Sequence, residues 1–371
     1  MQRFKSMKTF LIAVLVLLSL LIAIPAFGDS QVKLVPLVVA VSASSHPAIP
    51  SDLKEIALID PSSGNPSPTD PVLKWGDYTY WAYSYIDNDY YLAIVAYDAA
   101  GNMVGRWDKY GARYIWQITT DPATQTVTFW GQSKKTVTMS FDQLRVPPTV
   151  ATVSAGSHPA IPSDLKEIAL SDPSSGNPSS TDPVLKWGNY TYWAYSYIDN
   201  DYYLAIVAYD AAGNMVGRWD KYGTRYIWQI TIDATAKTVT FWGQSKTSVT
   251  MSFNDLRVPP TVTTVPAGSH PAIPSDLKEI ALSDPSSGNP SSTDPVLKWG
   301  NYTYWAYSYI DNDYYLAIVA YDAAGNMVGR WDKYGARYIW QITIDAAAKT
   351  VTFWGQSKYT VKASWDDLNL F

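Results

Sequence analysis

One segment occurs three times in this chain. Trp75 recurs as Trp187 and Trp299, and His46 as His158 and His270, always 112 residues on and with no insertion or deletion. Solenoid repeats run about 20–50 residues and cannot bury a core singly, whereas 112 residues is ordinary domain size. The spacing therefore predicts three tandem domains, at 33–144, 145–256 and 257–368. Residues from Ala155 to Gly223 are identical to their counterparts in the third unit.

Ahead of the repeats, Arg3, Lys5 and Lys8 form a basic head, and Phe10 to Pro25 is almost wholly apolar. Ala26-Phe27-Gly28 follows with the small residues that signal peptidase inspects, so residues 1–28 are expected to be an export signal. An apolar run of about 16 residues is short for a membrane span, which needs about 20. A secreted protein, at or beyond the cell surface, is the expectation, with no membrane span in the mature chain. There is no cysteine, so stability must come from packed cores. Loss of the three head cations leaves 25 of the 28 basic residues against 33 acidic ones, a net charge of about −8. That balance disfavours nucleic acid, which rewards a clustered basic face.

Within a unit, β-type alternation dominates. The connecting segment, with Val146, Val150 and Val153 among prolines, reads as a linker or edge strand. Asp52 and Glu55 in PSDLKEIAL suit the two ends of a capping box, predicting one short helix. A Pro/Ser/Gly loop follows from Asp60. Strands are predicted at Tyr78–Ile86, Tyr90–Tyr97, Met103–Lys109, Arg113–Thr119, Thr126–Gln132 and Lys135–Met139, with a closing helical turn at Phe141–Leu144. The predicted fold is mainly β: three tandem antiparallel β-sandwich domains, Ig-like or barrel-like, each with one short α-helix.

The aromatic content concentrates in YTYWAYSYIDNDYYLAIVAY, residues 78–97. Tyr90–Tyr97 is apolar on both faces and reads as a central strand. Trp81, Tyr83 and Tyr85 share one face of the strand before it. Large rings in a disulfide-free domain serve mostly as core. Trp130 differs, because Thr128 and Gln132 flank it on its own face, as befits a stacking platform.

Catalytic chemistry is sparse. One histidine per unit and no cysteine exclude the usual zinc sets within a unit. His46 reads as a turn histidine. A glycosidase would need paired acids across a cleft; Asp87, Asp98 and Asp108 are candidates, yet all lie at turns or near strand ends, where acids are ordinary. Asp87 and Asp89 form a weak calcium candidate. No enzyme, cofactor or other metal is expected. Asn189-Tyr190-Thr191 and Asn301-Tyr302-Thr303 match the N-glycosylation pattern, with Asp77 at the first position in unit one.

The candidate binding set is therefore Arg113, Gln117, Trp130 and Gln132, with Arg225, Gln229, Trp242 and Gln244 in unit two and Arg337, Gln341, Trp354 and Gln356 in unit three. Rings stack on sugar faces while amides and guanidinium bond hydroxyls. The expected function is a tandem-repeat binding protein for polysaccharide or cell-wall glycan. The alternative is a structural, spacer or adhesin-like protein with a surface-protein partner.

Overall fold

A computed structural model describes residues 36–51, 53, 69–87, 89–121, 124–132, 135–163, 165, 180–199, 201–244, 247–272, 292–311, 313–336, 338–355 and 359–368. The export signal and the helix expected around Asp52 and Glu55 lie outside them.

The protein is mainly β, and among the described residues six small antiparallel sheets recur in repeated units. In unit one, β1 (Leu37–Ser42), β2 (Thr69–Trp75), β3 (Tyr78–Asp87), β4 (Asp89–Tyr97) and β5 (Met103–Tyr110) form a five-stranded meander in chain order. A three-stranded sheet follows with β6 (Gln117–Asp121), β7 (Thr126–Trp130) and β8 (Thr136–Ser140). Units two and three repeat both sheets, and every strand pairs only within its own unit.

Local chemistry explains the turns. Asp98 accepts backbone N–H groups from Ala100 and Asn102 at 2.9 and 2.8 Å, while Gly101 takes the positive φ that closes the β4–β5 hairpin. The predicted helical turn is a 3-10 turn at Phe141–Leu144, closed by reciprocal Ser140–Gln143 capping bonds. The loop expected from Asp60 through Pro71 overlaps the start of β2, which contains that proline. The pairing of β2 with β3 covers only Leu73–Trp75, so the proline sits where the strand has a single neighbour, β1.

Both faces of β4 are buried, as its composition requires. Leu92, Ile94 and Ala96 look toward the small sheet, where Ile118, Val127, Phe129 and Met139 meet them in one core. Ala93, Val95 and Tyr97 look the other way, joining Trp81, Tyr83 and Leu53 in a second core. Part of the second core's cover is the connecting segment itself, whose Ile49 packs there. Tyr83 has no exposure and Trp81 only 4%. The rings of residues 78–97 are thus mostly filling. Tyr97 keeps its hydroxyl satisfied by donating to the Ala48 carbonyl at 3.2 Å.

The units touch one another rather than standing apart as beads. The β2–β3 turns of all three meet: Asp77 accepts from Asn189 Nδ2 at 2.7 Å and from Asn301 Nδ2 at 2.8 Å. Tyr78 shares a hydrogen bond with the Gly188 backbone, Tyr190 with the Gly300 backbone, and Tyr302 with Asp77, closing a cycle. Nearer the other end, Lys237 pairs with Asp142 at 2.8 Å and Lys349 with Asp255 at 3.1 Å. The arrangement is a pseudo-threefold ring formed by one chain.

Candidate functional site

The outer face of the small sheet is polar except for one ring. Gln117 and Trp130 are direct register partners, with Thr119 opposite Thr128 beside them and Thr128 opposite Thr138 beyond. Period-two alternation drives this, since Ile118, Val127 and Phe129 fill the core on the reverse side. Gln117 is exposed and Trp130 half-buried, its indole Nε1 donating to Thr119 Oγ1 at 2.9 Å. Trp242 and Trp354 repeat that bond with Thr231 and Thr343 at the same distance, beside their register partners Gln229 and Gln341.

The predicted strand over Arg113–Thr119 begins only at Gln117, which is a correction to the site. Tyr114 adopts a φ of 51°, a left-handed conformation held by Ser84 Oγ, which accepts the Tyr114 N–H at 2.6 Å. Gly131 lets the chain pass close by: a Cβ there would lie 2.6 Å from the Arg113 carbonyl oxygen. Arg113 consequently leaves the sheet face. Its guanidinium rests over the Tyr114 ring, 5.2 Å from the centroid, and its carbonyl accepts the Gln132 N–H at 2.8 Å. Arg225 and Gln244 behave alike. The side-chain oxygens of Gln132 and Gln244 are buried without a partner, so these amides turn inward instead of toward a ligand. Arg337 and Gln356 lie outside the described residues.

Unbroken alternation over Arg113–Thr119 would put Trp116 on the inward face with Ile118, and it is instead exposed. Its accessibility is 46%, and Trp228 and Trp340 each reach 48%. The irregular segment after Gly111 shifts the alternation, so Trp116 enters the sheet edge with its N–H on the Trp130 carbonyl at 3.0 Å. Its Nε1 donates to the Gly131 carbonyl at 3.2 Å. Gly111, with φ of 107°, opens this irregular segment. Trp81, Tyr83 and Tyr85 do not back this face, because they lie on the far side of the larger sheet.

Other candidates resolve into structural roles. His46 sets its ring edge-on to Trp81 at 6.1 Å, with Nδ1 3.1 Å from the Pro47 carbonyl. Asp108 is paired with Arg106 at 3.0 Å. Burial raises the Asp98 carboxyl, but bonds from Asn102 and the turn amides outweigh it and hold the group low. Asp87 and Asp89 are the last register pair of β3 and β4, and their side chains lie outside the described residues. Sequence reasoning passed over Asp70, Asp182 and Asp294, which are almost fully buried opposite Val41, Val153 and Val265 of the connecting segments. Burial pushes all three carboxyls up, with His46, His158 and His270 nearby pulling the other way. Among the described residues no cluster of histidine and carboxylate could hold a metal, and no helix is long and apolar enough to cross a membrane.

No family model matches the chain, and no curated protein does. Solved structures superpose only loosely. The β-propeller domain of Myceliophteria thermophila Cps50 (Swd1) aligns at 11% identity over 77% of this chain and 93% of its own, with a TM-score of 0.15. A putative 6-phosphogluconolactonase from Bacteroides uniformis aligns at 12% identity over 87% and 90%, at 0.14. The tricorn protease aligns at 13% identity over 81% of this chain and 31% of its own, also at 0.14. Scores of this size carry no argument for fold or activity.

Proposed function

We propose that this chain is an exported protein whose three units, bounded as 33–144, 145–256 and 257–368, are two-layered antiparallel sandwiches that each offer a carbohydrate-binding face to polysaccharide or cell-wall glycan. The reading rests on one observation: in all three units an indole nearly half exposed (Trp116, Trp228, Trp340) stands at the sheet edge beside a Trp–Gln pair on the outer face. A flat ring next to an exposed amide and a threonine row matches a sugar ring, which has an apolar face and hydroxyl edges. Trp130 with its bonded Nε1 is a rigid wall of this face, and Trp116 is its platform. Three such faces around one axis engage a repeating polymer together, a gain of about 10²–10⁴ over a single face.

Affinity electrophoresis through gels of cell-wall polysaccharide tests the idea. The wild type is expected to be retarded, and a chain with Trp116, Trp228 and Trp340 all changed to alanine to migrate freely. Equal retardation of both chains overturns the proposal. Capture of a surface protein by the same indoles, with no polysaccharide retardation, transfers the face to the adhesin-like reading.

A further inference from the structure

The ring encloses space that the peripheral faces do not use. Between the units lies a chamber of about 1020 Å³, bordered by all three through Trp75, Phe141, Arg145, Lys237, Arg257 and Asp366. A smaller, aromatic recess of about 50 Å³ adjoins it, and Trp75, Arg145, Trp187 and Arg257 line both. The two guanidiniums therefore stand at the junction, deep in the chamber.

The charges are graded by depth. Side-chain accessibility is 24% for Arg145 and 14% for Arg257, against 62% for Asp142 and 69% for Asp366. Among the described residues each arginine pairs with a rim carboxylate: Arg145 Nε with Asp142 at 3.0 Å, and Arg257 Nη1 with Asp366 at 2.6 Å. A guanidinium carries five N–H donors, so both retain donors beyond those pairs. The two cations also repel each other. Trp75 adds an indole Nε1 that is buried and without a partner, whereas its counterpart Trp299 donates to the Val258 carbonyl at 2.8 Å. Deep donors in excess, with carboxylates only at the mouth, call for an anionic group entering head first.

We propose that this chamber is a second, single-copy binding site for a sugar acid. The carboxylate lies against Arg145 and Arg257, where a planar fork suits it. The sugar ring lies in the chamber below the two arginines, where Ser140 and Gln125 on the wall meet its hydroxyls. The volume is ample for a disaccharide. Because the walls come from three units, one molecule binds per chain, in contrast to three on the outer faces.

Titration calorimetry of the full chain with digalacturonate is the test, beside neutral digalactose and inorganic sulfate. One digalacturonate per chain is expected, at least tenfold tighter than either control. Arg257→Gln should lower that affinity at least tenfold, and Asp366→Asn, which frees Arg257 from its rim partner, should raise it. The Asp366 change keeps the idea testable even where the Arg257 variant does not fold. The chain lacking Trp116, Trp228 and Trp340 should bind digalacturonate unchanged, which separates this site from the peripheral one. Absent binding, three molecules per chain, digalactose or sulfate bound equally well, or indifference to both chamber substitutions would overturn the proposal.

Discussion

Replacing Asp77 by alanine should open the ring. This carboxylate accepts two amide bonds, at 2.7 and 2.8 Å from Asn189 and Asn301, and a third from the Tyr302 hydroxyl. A hydrogen bond to a charged group is worth about 1.5–3 kcal/mol net where both partners are desolvated. Asn189 and Asn301 are exposed, so water replaces much of what they lose, and about 1 kcal/mol per bond is the appropriate share. The sum is about 2–3 kcal/mol of closure energy. The ion pairs of Lys237 and Lys349 at the other end are solvent-facing and contribute about 0–1 kcal/mol each, too little to hold the ring alone. In urea, with a slope of about 3 kcal/mol/M, Asp77→Ala should bring the first transition down by about 1 M. Small-angle scattering of the variant in dilute urea should show an expanded particle while circular dichroism keeps its β signal. Asp77→Asn restores the amide found in the other two units and should lose less than half as much. An unchanged midpoint together with an unchanged radius of gyration for Asp77→Ala would refute the closure argument.

Two further outcomes are expected. Ser84→Ala removes the acceptor that holds Tyr114 in its left-handed conformation, at a cost of about 1–3 kcal/mol in urea unfolding, and should also slacken the Trp116 edge so that retardation by polysaccharide weakens; full retention of both properties argues against this role for Ser84. Changing Asp70, Asp182 and Asp294 together to asparagine should stabilise the protein near neutral pH. Their folded carboxyls are raised, so the stability they contribute is complete below the ordinary carboxylate value of about 4 and is lost as pH rises through the raised one. The gap in melting temperature between variant and wild type should therefore shrink as pH falls from 7 toward 4, and a gap independent of pH would contradict the assignment.

The small sheet illustrates why alternation alone placed some residues and misplaced others. Gln117 and Trp130 share a face as the period-two rule requires, because Ile118 and Phe129 must be buried opposite them. The same rule failed four residues upstream. A hydroxyl on another strand, Ser84, bends the chain at Tyr114, and a rule that assumes unbroken extension cannot foresee it. Trp116 and Trp130 thus exchanged exposures. In the larger sheet the apolar character of both faces of β4 was plain in the sequence. What covers the Trp81–Tyr83 face was not, since the cover includes a connecting segment whose Ile49 and Leu53 are distant in the chain.

By itself the sequence determined the triplication, the antiparallel β character of each unit, and the need for aromatic cores in a chain without cysteine. These are local or periodic properties, set by spacing, alternation and composition. Tertiary structure alone decided that the units close on themselves, because one aspartate meets asparagines 112 and 224 residues away. It also decided that two arginines from successive connecting segments line one cavity. Long-range contacts of that kind depend on how whole surfaces fit, and no window of residues carries that information.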